Sequence, residues 1–241
     1  MTLQDTAPRP GSGAIDFGTH RYKAQLAKLS PSSLDLGQHR RCMLGVSLGT
    51  HNIEGARLEA VLEWISANFQ HCAVVVGDSV YRLTLALQGM DAEAARSRAL
   101  ADGRAFEASY APLFRQYAAR CRFEWLPLSK VAEDPRFPGH LQTLQALYAA
   151  DAGFQHSVQD FARAYLHRGE DRELSDAALH TTRDYLIEES ALFACLREQD
   201  WPILVYPGSI DSIIDLCEGR FPGAPEPLTR LAFVALEVKR K

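Results

Sequence analysis

The chain has 241 residues, 46% of them hydrophobic and 23% charged, enough to bury the core of one generous globular domain, so a disordered or fibrous chain is excluded. The 26 Lys and Arg stand against 30 Asp and Glu, and the net charge of −4 excludes a uniformly basic nucleic-acid binder. The charge is uneven, however: 15 basic and 12 acidic residues run through Ala132 and 11 and 18 follow it, so the first half, at +3, is the better face for a polyanion.

The stretch over 1–14 is rich in Pro, Gly, Ser and Thr, and predicts a disordered tail ahead of a single domain over 15–241. It holds no apolar core of a signal peptide, and no run approaches the roughly 18 apolar residues of a membrane span, which points to a cytoplasmic protein without membrane contact. Residues 42–48 are a short apolar run ended by Gly49 and Thr50, the pattern of a buried parallel strand. Leu58, Val61, Leu62, Ile65 and Phe69 then recur at helical spacing, and 72–76 reads as a second strand closed by Gly77-Asp78-Ser79. A helix through Leu87 follows, then an Ala/Arg-rich helix over 92–120, with an interruption expected at Pro112 because proline cannot donate its helical bond. Strand 123–126, a Pro-containing loop over 134–139, helices near 140–150, 153–167 and 175–199, strand 201–206, a short helix over 209–218 and strand 231–238 complete the chain. Alternating strands and helices predict an α/β fold with a mostly parallel sheet. Cys42, Cys72, Cys121, Cys195 and Cys217 are odd in number and form no C-x-x-C pair, so buried reduced thiols are expected, with neither disulfides nor a zinc site.

In such sheets the active site lies beyond the carboxyl ends of the strands, which is where Ser47, Gly77-Asp78 and Tyr206 fall. Gly45-Val46-Ser47-Leu48-Gly49 matches the G-x-S-x-G elbow of serine esterases. That elbow wants a helix directly after the serine and a histidine late in the chain, whereas helical periodicity resumes only near Gly55 and the last histidine is His180. Without those partners Ser47, taken alone, reads more readily as a serine that merely ends a strand. Tyr185 and Glu189 are four apart and share one helix face with Leu192 and Phe193 beyond, which fits either a phenol and carboxylate above a pocket or a core tyrosine beside a surface acid. Tyr206 stands where Pro207 stops a buried strand.

Taken together, Leu44-Gly45-Val46-Ser47-Leu48-Gly49, the segment Ala73-Val74-Val75-Val76-Gly77-Asp78-Ser79 with Arg82, the Tyr185-x-x-x-Glu189 pair and the Tyr206-Pro207 step resemble, in order and spacing, the tRNA-dependent cyclodipeptide synthases over about Arg41 to Pro207. Thr50 three residues after the serine, with Tyr206 and Pro207, is similar to the subgroup that lacks an asparagine there and carries Tyr-Pro. The resemblance implies a Rossmann-like domain similar to class I aminoacyl-tRNA synthetase catalytic domains, without their His-Ile-Gly-His and Lys-Met-Ser-Lys-Ser signatures and hence without ATP. It implies two aminoacyl-tRNAs as substrates, a cyclic dipeptide as product, no cofactor and no metal, and a monomer as the default.

On this resemblance Ser47 is the nucleophile, Glu189 with Tyr185 holds the first amino group, and Tyr206 bonds the serine oxygen or moves a proton. Gly45, Val75, Leu192 and Leu204 line the amino-acid pocket, Thr50 and Pro207 border it, and Asp78 either borders it or holds the loop beside it. The family's basic helix corresponds to the Ala/Arg-rich segment, where Arg96, Arg98, Arg104 and Arg115 are the candidate tRNA contacts. Seven basic residues stand against three acidic ones between Ala94 and Lys130. Arg40-Arg41 and Lys239-Arg240-Lys241 are weaker candidates. A serine esterase and a non-catalytic aminoacyl-tRNA-binding protein are the competing readings.

Overall fold

The computed structural model describes residues 22–50, 53–166 and 175–241; the tail expected over 1–14 lies outside the described residues. In chain order the elements are β1 (Tyr22–Ser30), β2 (Arg41–Val46), α1 (Gly55–Asn68), β3 (His71–Val76), α2 (Asp78–Leu87), α3 (Ala92–Gln116), β4 (Arg122–Pro127) and α4 (Leu128–Val131). Then follow α5 (Phe137–Ala150), α6 (Ala152–Leu166), α7 (Asp176–Glu198), β5 (Ile203–Pro207), α8 (Asp211–Cys217), α9 (Glu226–Thr229) and β6 (Ala232–Arg240). The strands form one sheet in the order β1-β6-β5-β2-β3-β4, parallel throughout except where β1 pairs antiparallel with β6. The mostly parallel α/β sheet expected from the alternation of elements is therefore present.

The inner strands are continuous apolar runs because both their faces are covered. Cys42, Leu44, Val74 and Val76 point toward α1 and the end of α3, whereas Met43, Ala73 and Val75 point toward α7 and its neighbours. All five cysteines are buried, as expected, Cys42 and Cys72 within these strands. Helix α7 is buried from Tyr185 to Leu196 with Glu188 as the break, so it runs through the core rather than along its surface.

Three expectations need correcting. Helix α3 continues through Pro112 to Gln116. The proline removes one backbone bond near the helix end, while Leu113 and Phe114 just after it are buried, and the Phe114 ring packs 5.2 Å from Phe123 and 4.6 Å from Trp125 of β4. The loop expected over 134–139 ends early, because Pro138 sits in the first turn of α5, where its fixed φ is preorganised and its missing N–H costs nothing. The first strand, β1, went unpredicted: only Ala24 and Ser30 of it are buried, and a bulge between Leu26 and Lys28 breaks its alternation.

Candidate active site

The site begins with strand register. Leu44 of β2 pairs with Val205 of β5, so the next step places Gly45 beside Tyr206 and carries both chains out past the sheet together. A methyl on Gly45 would lie 3.1 Å from the Tyr206 ring and 3.4 Å from Leu204, so the missing side chain is what lets that ring lie against β2. Strand β2 stops at Val46, two residues before the expected end, leaving Ser47 in the loop at the carboxyl edge. There Ser47 Oγ lies 3.1 Å from Tyr206 Oη, a hydrogen bond in which either hydroxyl can donate. Thr50 Oγ1 donates to the Ser47 carbonyl at 3.0 Å and closes the loop beneath the serine.

Helix α7 supplies the other half. Tyr185 donates to Glu189 Oε1 at 3.3 Å along one face, and both are buried. Burial pushes the Glu189 carboxyl up to about 7; the Tyr185 hydrogen bond works against that rise and the neighbouring Glu188 charge adds to it. Burial likewise holds the Tyr185 phenol well above its ordinary value, and the Glu189 charge adds to the rise. The Tyr165 ring of α6 stacks on Tyr185 at 5.8 Å, and Thr84 bonds the Tyr165 hydroxyl at 2.9 Å. The result is a pocket walled by Ser47, Tyr165, Tyr185, Glu189 and Tyr206, which opens beneath the serine into an apolar recess. A serine hydroxyl, two phenols and a carboxylate that titrates near neutrality can together attack an acyl group, hold an amine and move its proton.

Of the expected pocket residues, Gly45, Val75 and Leu204 line the recess and Thr50 lines the outer pocket. Leu192 does not; it is fully buried in the core, and the wall at its level is Phe193. The reason is helical phase, since Phe193 follows Glu189 by four residues, the closer match to a whole turn. Pro207 lines a separate hollow toward β1 and β6.

Asp78 also turns away from the pocket. Its carboxylate accepts from the Ser79 and Ser129 amides, both at 2.8 Å, and from the Ser129 hydroxyl at 2.5 Å, which ties the start of α2 to α4. Gly103 of α3 packs so close that a methyl there would lie 2.7 Å from the Asp78 Cβ. Leu128, Ile210 and Tyr165 join the site without having been foreseen, and Phe193, read beforehand as an extension of the Tyr185–Glu189 face, joins it too. Only the i+4 spacing of Phe193 from Glu189 offered a signal.

Arg96, Arg98, Arg104 and Arg115 are all exposed on α3, with Arg98 in an exposed ion pair to Asp102 at 2.8 Å. At the β1 edge of the sheet, pairing of β1 with β6 sets Lys23 against Lys239 and Tyr22 against Arg240, adding Lys23 to the basic run of Lys239 and Arg240. Among the described residues no helix is long and apolar enough to cross a membrane.

Comparison with known proteins places this arrangement. The fold is similar to that of a cyclodipeptide synthase from Fluoribacter dumoffii, with a TM-score of 0.76 and 22% identity over 91% of this chain and 99% of that one. It is also similar to a Mycobacterium tuberculosis protein described as relating cyclodipeptide synthetases to type I tRNA synthetases, with a TM-score of 0.67 and 16% identity over 92% and 94%. A synthase from Candidatus Glomeribacter gigasporarum, solved bound to Phe-tRNAPhe, matches with a TM-score of 0.62 and 16% identity over 83% and 88%. No curated protein matches the sequence. The cyclodipeptide synthase family model, in contrast, matches residues 28–195, from within β1 almost to the end of α7. With most of its length under that match, the chain belongs to the cyclodipeptide synthase family, whose members are aminoacyltransferases.

Proposed function

We propose that this enzyme builds a cyclic dipeptide from two aminoacyl-tRNAs by acyl transfer through Ser47, as a member of the subgroup marked here by Thr50, Tyr206 and Pro207. The observation that carries the reading is the placing of Ser47 Oγ 3.1 Å from the Tyr206 hydroxyl in a pocket shared with the buried Tyr185–Glu189 pair. An aminoacyl-tRNA is already an activated ester, so the enzyme needs a nucleophile, an amine holder and a proton path rather than an external energy source.

In the first step Ser47 Oγ bonds to the ester carbonyl carbon of one aminoacyl-tRNA. The carbon–ribose oxygen bond breaks, and the serine proton leaves with the ribose oxygen by way of Tyr206. Ionised Glu189, bonded by Tyr185, holds the ammonium of the bound residue and fixes its direction. For the dipeptide to stay on Ser47, the amine of the serine-bound residue must attack the ester of the second aminoacyl-tRNA. The ammonium first gives one proton to Glu189, which titrates near 7 and so suits both states; the freed amine forms the peptide bond, the carbon–ribose oxygen bond breaks, and the second amine proton leaves on the ribose oxygen with the second tRNA. The free amine of the resulting dipeptide then attacks the Ser47 ester, closing the six-membered ring and returning the proton to the serine.

Arg96, Arg104 and Arg115 on α3 and the Lys23, Lys239 and Arg240 ribbon of β1 and β6 are the surfaces we assign to RNA phosphates. Gly45, Val75, Phe193 and Leu204 fit an uncharged first amino acid. Incubation with charged tRNAs and intact-mass measurement tests the reading. Wild type should gain an aminoacyl adduct and release a diketopiperazine, and Ser47→Ala should do neither. Absence of both from wild type with every charged tRNA sinks the proposal, and rapid hydrolysis of nitrophenyl esters instead would make the protein an esterase.

A further inference from the structure

We infer that Arg82 and Glu188 are positioning residues for Glu189: their bidentate ion pair ties α7 to α2 and cancels the charge beside the carboxylate that receives the substrate ammonium. The inference rests on the role given to Glu189 above and adds how that role is maintained.

Glu188 and Glu189 are consecutive on a helix and so point about 100° apart, yet both are drawn inward. The Glu188 side chain is 15% exposed, and Glu189 is buried. Two neighbouring carboxylates withdrawn from water oppose each other's ionisation. Glu188 is compensated: its Oε1 accepts from Arg82 Nη1 at 2.8 Å and its Oε2 from Arg82 Nη2 at 2.6 Å. Arg82 Nη1 also donates to the Ser79 carbonyl at 2.6 Å, so the guanidinium is fixed to the first turn of α2 as well as to α7. A planar fork bound at two points sets rotation as well as distance, which a lysine would not do.

Around Glu189 itself the described pocket walls offer phenols: Tyr81 from α2, Tyr165 from α6, Tyr185 from α7 and Tyr206 from β5. None of these is charged near neutrality. Glu188, with Arg82 behind it, is therefore the charged neighbour that modulates the ionisation of Glu189, adding to the larger rise that burial imposes. Removing Arg82 leaves a second negative charge in place, and removing Glu188 leaves a positive one that competes with the ammonium.

Single-turnover formation of the Ser47 adduct, followed between about pH 5.5 and 9 around the ordinary range of such groups, tests this. In Arg82→Gln the acid limb should move to higher pH and the neutral rate should fall about tenfold for each unit moved. In Glu188→Gln the limb should move down. The double variant Arg82→Gln/Glu188→Gln should return the limb close to the wild-type position while its plateau stays low, because charge balance is restored and the tether is not. Arg82→Lys should keep the limb and lower the plateau, and it carries the test if Arg82→Gln fails to fold. An acid limb that stays put in Arg82→Gln, or a double variant that keeps a displaced limb, overturns the inference. Wild type without any adduct would instead overturn the assigned chemistry, so the two failures are told apart.

Discussion

Ser47 and Tyr206 stand 159 positions apart in sequence, yet their hydroxyls meet at 3.1 Å because β2 and β5 are adjacent parallel strands that end at the same edge of the sheet. The contact is built on backbone register, so removing either oxygen should leave the fold standing. Ser47→Ala should give no covalent adduct with any charged tRNA. Tyr206→Phe should still form the adduct, but about 100-fold or more slowly, the usual scale for a lost proton-transfer group, and cyclic dipeptide formation should fall with it. Intact mass read alongside product release separates the two, and full turnover in Tyr206→Phe would remove that tyrosine from the proton path.

Gly45 is the residue that permits this contact, since a methyl there would press on the Tyr206 ring at 3.1 Å and on Leu204 at 3.4 Å. Gly45→Ala is therefore expected to cost about 1–3 kcal/mol of stability, the range for overpacking a filled site. It should also narrow the apolar recess and shift selection of the first amino acid toward smaller side chains by roughly 10- to 200-fold, the discrimination available from a methylene or two. Competition between charged tRNAs, read by the mass of the diketopiperazine, checks this. An unchanged product spectrum would place the first side chain elsewhere.

The parallel core was legible because a strand buried on both faces is written as an unbroken apolar run, as in Cys72 to Val76. Strand β1 was not, since an exposed edge strand that carries lysines and a bulge has little pattern to read. Tyr185 and Glu189 could be paired from their spacing, but that their face meets Ser47 is a tertiary fact. The same holds for Leu192 and Phe193: both follow Glu189 by about one turn, and packing of α7 decides which one reaches the recess. Pro112 shows that a local rule can yield to burial of the two residues beyond it, Leu113 and Phe114.

Glu189 carries an opposition between stability and function. Its carboxyl lies near 7 in the folded chain against an ordinary value of 4.5, so across that window the folded protein binds more protons than the unfolded one, and stability falls as pH rises. Glu189→Gln removes this cost. The variant should melt higher than wild type at pH 8, with the advantage shrinking as pH falls and gone below about pH 4, where both states of the wild type bind the proton. Adduct formation should weaken in the same variant and lose its acid limb near pH 7, where wild type falls as Glu189 protonates. Parallel melting curves for the two proteins from acid to alkaline pH would remove the buried charge from the account.

The α3 arginines and the β1–β6 ribbon lie on separate elements, and the reaction consumes two tRNAs in turn, so the two surfaces make separable predictions. Each phosphate contact that is lost should flatten the dependence of log affinity on log salt by about 0.9. Arg96→Ala with Arg104→Ala should show this loss, as should Lys23→Ala with Lys239→Ala. Arg98→Ala should show a smaller loss, because Asp102 partly offsets its charge at 2.8 Å, as Glu237 does that of Lys239 at 2.9 Å. If one surface receives both substrates, its variant will slow adduct formation and dipeptide formation alike. If each surface serves one substrate, the first pair of substitutions and the second will slow different steps, which rapid-quench measurement of adduct and of released product distinguishes. Salt slopes unchanged in both double variants would move the RNA footprint away from both surfaces.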